Sequence, residues 1–154
     1  MASGVFINQI NEMMKLYLVT SGADLRCKLC MSNCSAATEM LTNADHIDDI
    51  VTEDESDDST YGGAEALTTP ASTLDDPNNR GEFTDSGAVA VTFAGLAGDA
   101  TRNYTGVLLY EHVDGTDAND IPIAWIEFGT PVAKESTSVT VTWNAQGIIQ
   151  GANA

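Results

Sequence analysis

The chemically suggestive residues begin with Cys27, Cys30 and Cys34, a C-x2-C-x3-C run with His46 twelve residues further on. Thiolates and an imidazole are the donors that zinc takes, provided four of them converge as a tetrahedron. The residues around them argue otherwise. Residues 24–31, DLRCKLCM, alternate, with Leu25, Cys27, Leu29 and Met31 on one side and Arg26, Lys28 and Cys30 on the other. That is the period of a half-buried strand. Three residues along a strand span roughly 10 Å at about 3.3 Å each, and the side chains point to opposite faces. Cys27 and Cys30 are then too far apart for a disulfide, which needs Cα atoms within roughly 7 Å, and badly placed for a shared metal. Lys28 and Leu29 are not turn formers either. The expectation is reduced thiols and no bound metal, and an odd number of cysteines fits a reducing compartment.

Other clusters resolve similarly. Asp114, Thr116, Asp117, Asn119 and Asp120 gather oxygens in one short loop. A twelve-residue calcium loop needs Gly at its sixth position and Glu at its twelfth, and DGTDANDIPIAW has neither in register, so an Asp/Asn/Gly turn is expected. His46 sits in an acidic run and His112 at a strand end. No G-x-S-x-G elbow, H-E-x-x-H pair, Gly-rich phosphate loop or dinucleotide fingerprint is present in the sequence. Glu127, between Ile126 and Phe128, is the one acid inside an apolar strand. A buried carboxyl there would titrate high, but no second placed carboxylate accompanies it, so an edge, interface or ion-pair role is expected. Trp125, Trp143, Tyr104 and Tyr110 alternate with Val and Ile, which favours core packing over a sugar-binding platform. No catalytic residue and no cofactor is expected, and the chain is read as not an enzyme.

The elements that would carry these residues are mostly strands. Residues 88–95, 103–113, 121–128 and 137–145 read as four strands, the middle two apolar on both faces. With 24–31 they make at least five, joined by connections too short for crossover helices, so the sheets are antiparallel. Residues 3–18 read as a short N-terminal helix, with Ser3 as cap and a stripe of Phe6, Ile10, Met13 and Tyr17 widened by Ile7 and Met14. Another short helix is a reading of residues 35–42. Residues 45–58 hold eight acids and no Lys or Arg, the composition of a solvated loop. Residues 59–86 are rich in Thr, Asp, Gly, Asn and Pro, and suggest an extended excursion with one or two short strands. Together 45–86 are expected to form a long acidic loop or arm, with Tyr61, Leu67 and Phe83 as its apolar anchors. The fold class expected is mainly β, an antiparallel β-sandwich or partial jelly roll with a short N-terminal helix. The 154 residues are expected to form one domain, with 88–150 as its main β region.

Charge narrows the partners. Twenty-three acids against six bases give a net charge of −17, the wrong sign for holding nucleic acid or docking on an anionic membrane. No apolar run of 18 residues is present, and the first residues lack the basic and apolar regions of a signal peptide.

The C-terminal third resembles a family of small virion proteins of tailed bacteriophages. The resemblance rests on Leu109-Tyr110 ending an apolar strand, the Asp114–Asp120 loop, the strand Ile123–Gly129 of form I-A-x-I-x-F-G, and Trp143–Ile148 of form W-N-A-x-G-I. Upstream the likeness is one of outline, with Tyr61-Gly62-Gly63 as a turn, and the cysteine run departs from the family. The resemblance implies a head decoration, or cement, protein on the outer capsid surface of the virion, assembled in the host cytoplasm. Its implied partners are the major capsid protein and itself, as homodimer or homotrimer. The other role it implies is a small tail or fibre component recognising a host glycan. The candidate oligomer and capsid contacts are Phe6, Ile10, Met13, Tyr17, Tyr61, Leu67 and Phe83.

Overall fold

In the computed structural model, which describes residues 15–20, 22–39, 44–75, 80–88, 90–144 and 147–152, antiparallel strands dominate. A π-helical turn, Lys15–Thr20, precedes β1 (Asp24–Met31). A single α-helical turn, α1 (Ala36–Glu39), and a 3-10 turn, Ile47–Asp49, follow. The remaining strands are β2 (Glu65–Ala66), β3 (Pro70–Asp75), β4 (Arg80–Asp85), β5 (Ala90–Ala94), β6 (Tyr104–His112), β7 (Ile121–Val132), β8 (Ser138–Thr142) and β9 (Ile149–Ala152). The five strands expected from alternation are β1, β5, β6, β7 and β8, and the protein is mainly β. The greater part of the expected helix over 3–18, with Phe6, Ile10 and Met13, lies outside the described residues.

The chain gathers into two units. The larger comprises 24–66 and 91–141. Its main sheet has the order β2-β1-β6-β7, all neighbours antiparallel. β6 is the central strand that its two-sided apolar pattern requires, with Val107, Leu108 and Leu109 fully buried. Gly106 pairs with Cys30 on one side and Glu127 on the other. A Cβ at Gly106 would stand 2.5 Å from the Trp125 ring, so the absent side chain is what lets that indole lie against β6. β5 and β8 make a separate two-stranded ribbon, joined on its outer face by a Thr92–Thr140 hydroxyl contact of 3.1 Å. Val91, Phe93, Val139 and Val141 are buried on its other face.

The smaller unit comprises 1–23, 67–90 and 142–154. Its described core is the sheet β3-β4-β9. Pro70 opens β3, where a missing N–H is tolerated. Phe83 is completely buried in β4, and its carbonyl accepts the Ile148 N–H at 2.7 Å. Gly147, with φ +98°, makes that approach feasible: a Cβ would lie 2.7 Å from the same carbonyl oxygen. The π-helical turn packs against β3.

Two expectations need correction. β1 is not half-buried: every residue from Cys27 to Met31 is buried, Lys28 and Cys30 included. Residues 45–86 are not an arm. Residues 45–66 belong to the larger unit and fold against β1, while 67–86 carry the β3–β4 hairpin of the smaller one. The burial of β1 and the folding back of 45–66 have one cause. The acidic run supplies the second cover of β1, with Ile47 and Ile50 packed on Cys30, Leu108, Tyr110 and Ala36.

Crowding at Gly106 sets a first prediction. Gly106→Ala forces the Trp125 ring or the Ile126 carbonyl to move, and overpacking of this kind costs about 1–3 kcal/mol. Urea unfolding read by tryptophan fluorescence should show that loss, whereas an unchanged midpoint would contradict the packing.

Candidate functional site

Chemistry-bearing groups concentrate where the acidic run meets β1. The run lines the edge of β1 beyond β2. Met31 donates to the Asp54 carbonyl at 2.8 Å, Ser56 donates to the Leu29 carbonyl at 2.8 Å, and Cys30 bridges to Glu55. The Leu29 N–H, lying between that bridge and β2, donates to the Tyr61 hydroxyl at 3.2 Å. An edge that would otherwise expose backbone donors is thereby closed.

Lys28 is the charge at the centre. Its Nζ lies 2.5 Å from Glu53 Oε1, 2.9 Å from Asp117 Oδ1 and 3.6 Å from Glu55 Oε2. The same ammonium stands 5.3 Å from the centroid of the Tyr110 ring. Burial works to discharge this lysine, but the hydrogen bonds it donates to Glu53 and Asp117 outweigh it and hold its pKa well above the ordinary value. Burial raises Glu53, overriding Lys28, with Asp117 and Glu55 adding repulsion. The ammonium is therefore a fixed cation tying three segments together, not a nucleophile.

The other acids of the run act on backbone or on a base. Asp49 accepts the N–H groups of Asp45 and His46 at 2.9 and 3.0 Å, capping the 3-10 turn. Asp54 has φ +48°, a conformation that Asp tolerates better than most residues. Its carboxylate accepts the Asn33 N–H at 2.7 Å and pairs with Arg102. Asp57 accepts both the amide and hydroxyl of Thr101, at 2.9 and 2.5 Å, and these hold its pKa below the usual range.

Asp58 is buried and accepts five hydrogen bonds. Four come from the amides of Thr60, Ala97, Gly98 and Asp99, at 2.8–3.1 Å, and one from the Thr60 hydroxyl at 2.9 Å. Burial alone would raise this carboxyl, but the amides of Ala97, Thr60 and Asp99 drive it far below the usual range. Gly98, at φ +76°, presents its amide there with the Glu135 carbonyl only 2.6 Å from where a Cβ would be.

The sequence-marked residues fall as follows. Cys30 and Cys34 come together: the turn that sends the Cys34 N–H to the Met31 carbonyl at 3.1 Å returns Cys34 to the cluster holding Cys30, whose own thiol donates to the Lys28 carbonyl at 3.7 Å. Cys27 is buried on the other face of β1. His46 instead neighbours Asp48 and Asp49, the one group of metal-capable side chains found among the described residues, in which Asp49 already serves two amides.

The oxygens of 114–120 do not converge on a common point. Asp114 accepts Thr116 and Asn119, Asp117 holds Lys28, and buried Asp120 takes the Val113 N–H at 2.7 Å and His112 Nδ1 at 3.1 Å. Glu127 is exposed on β7. Tyr104, Tyr110 and Trp143 are buried and Trp125 is half-buried, as core packing requires.

Of the contact candidates, Tyr17 is 49% exposed, Tyr61 is half-buried with its ring 6.1 Å from Phe93, and Leu67 and Phe83 are buried within the chain's own units. The Lys28 cage and the Asp58 amide nest escaped the sequence reading. The one available signal was a lysine between the apolar residues Cys27 and Leu29 of a chain with only six bases.

No family model, curated protein or solved structure matches the chain. What the geometry defines is a class: an acidic, antiparallel β protein whose carboxylates fasten its own backbone.

Two predictions follow from these fasteners. Lys28→Met leaves Glu53 part-buried without its cation and should cost about 3 kcal/mol in urea unfolding. Adding Glu53→Leu should recover part of it, and strict additivity would contradict the pairing. Asp58 has a folded pKa below its unfolded value of about 3.9, so its contribution is full above that pH and is lost as pH falls through the folded pKa. Asp58→Asn should lower the melting temperature at pH 7, and the gap to the parent should narrow progressively below about pH 4. Parallel curves from pH 7 to about 2.5 would reject the nest.

Proposed function

We propose that this chain is a structural virion protein of a tailed bacteriophage, a head decoration protein that binds the outer capsid and bridges major capsid subunits. The family resemblance of residues 109–148 motivates the reading. The observation that carries it is β7. This twelve-residue strand ends its sheet and pairs with β6 alone among the described residues. Pro122 and Pro131 limit its uninterrupted outer edge to 123–130, and Glu127 is the one ionisable residue on the strand. Ile123, Trp125, Ile126 and Phe128 are only half-buried.

Soluble proteins blunt long edges with charge, and this chain, with 23 acids, places only Glu127 on this one. An edge with a single charge beside half-covered apolar side chains suits a protein partner, joined by strand pairing and apolar burial. Self-association as a homodimer or homotrimer multiplies weak contacts on a symmetric shell. The net charge of −17 keeps free copies apart and repels packaged DNA. The glycan-binding alternative draws less support: of the aromatics it would use, Tyr104 and Trp143 are buried and Tyr61 and Trp125 half-buried.

Counting this chain in purified particles of the phage that encodes it, and titrating it onto emptied heads, tests the proposal. Saturable head binding with copies on the order of hundreds supports it, as lattice avidity requires. Absence from particles, or a handful of copies confined to the tail, overturns it.

A further inference from the structure

We propose that Cys30 and Cys34 form a reversible dithiol–disulfide pair that locks the corner where the acidic run is anchored to β1. The inference is independent of the proposed capsid role. Its basis is placement. Cys30 lies at the end of β1, completely buried, at the register shift between Cys30 and Met31. The Ser32-Asn33 turn, closed by the Cys34 N–H on the Met31 carbonyl at 3.1 Å, brings Cys34 back, half-buried, against the apolar cluster that contains Cys30. A disulfide here closes a loop of five residues. Cys27, three residues earlier, faces the other side of β1 and cannot join.

The pair is chemically asymmetric. Contact with Cys30 lowers the Cys34 pKa, and the Ala36 amide assists. Contact with Cys34 and burial raise Cys30. Cys34, the more accessible and more acidic thiol, is thus the attacking group, and Cys30 resolves.

The oxidant is a small-molecule disulfide of the glutathione type. The Cys34 thiolate attacks one of its sulfurs, the S–S bond breaks, and the departing thiolate takes a proton. Cys30 then loses its proton to solvent and attacks the Cys34 sulfur, releasing the second small thiol. Two protein thiols are oxidised and one disulfide is reduced to two thiols. In a reducing compartment the pair stays open, and in an oxidising one it closes.

The corner it locks is a junction. Asn33 donates to Asp54, the Ser35 N–H donates to the Thr52 carbonyl at 2.9 Å, and the Ser35 hydroxyl bonds Glu39 at 2.7 Å. All tie the turn to the acidic run or to α1. Bridging Cys30 to Cys34 restrains this junction in the unfolded chain.

The test incubates the full chain across a series of reduced-to-oxidised glutathione ratios, quenches with an alkylating reagent, and reads intact and peptide masses. We expect loss of two hydrogens, a Cys30–Cys34 linked peptide and alkylatable Cys27 after unfolding. The oxidised chain should melt higher than the reduced one, a comparison needing no variant. Cys30→Ser should instead retain glutathione on Cys34, as a stranded mixed disulfide. Stable glutathionylation of Cys34 in the parent chain, a bridge involving Cys27, or resistance of both thiols at every ratio would each overturn the proposal.

Discussion

The contact on which this structure depends is the seam between β1 and the acidic run. β1 has β6 along one edge, but the two-residue β2 covers only Arg26 and Cys27 on the other. The rest of that edge would leave amides and carbonyls bare beside a buried strand, which a native protein avoids. Residues 54–56 and the Tyr61 hydroxyl close it. The closure buries Asp58 and part-buries Glu53 and Asp54, which need donors there, and exposed Asp57 finds one as well. Glu53 finds Lys28, Asp54 finds Arg102 and Asn33, Asp57 finds Thr101, and Asp58 finds four amides. The seam thus explains both the burial of Lys28 and the positioning of the Gly95–Asp99 turn.

The scarcity of bases shapes how this is done. Five of the six, Arg26, Lys28, Arg80, Arg102 and Lys134, form ion pairs. Cations cannot neutralise 23 acids, so backbone amides take over. Asp58 and Asp85 each accept amides across a turn, Asp85 from Thr68, Thr69 and Gly87 at 2.6–3.1 Å. An amide donor answers a carboxylate without adding net charge to the surface. The molecule therefore keeps its strongly negative exterior while its turns are held as firmly as charge pairs would hold them.

This division explains what the sequence made legible. Strand alternation and two-sided apolar runs are local patterns, and β1, β5, β6, β7 and β8 followed from them. The acidic run is the loop its composition indicates, but nothing local distinguishes a carboxylate facing water from one facing an amide forty residues away. Asp58 reaches Ala97, Gly98 and Asp99, and Lys28 reaches Asp117, by tertiary folding alone. The short strands expected within 59–86 are present as the β3–β4 hairpin, but its other partner, β9, lies at the far end of the chain, and this distant pairing makes Phe83 a core residue instead of an arm anchor. The cysteine spacing was informative for Cys27 and Cys30, whose strand geometry holds. It was silent on Cys34, because a turn after Met31 resets the direction of the chain.

The same tertiary origin bears on how an inert-looking β scaffold can have a function. Groups that would read as catalytic or ligand-binding in isolation are engaged by the fold: Lys28 by three acids, Asp120 by His112 and Val113, Asp114 by Thr116 and Asn119. What the larger unit leaves open is of another kind. The outer edge of β7 carries backbone hydrogen-bonding capacity beside half-covered apolar side chains, and the combination suits another polypeptide better than a small molecule. Self-pairing through such an edge would bring two strongly negative bodies together, a repulsion that salt screens over roughly 8–10 Å. A partner with a less negative surface meets no such barrier. On electrostatic grounds, then, the edge favours a different protein over a second copy, and self-association would have to use another face.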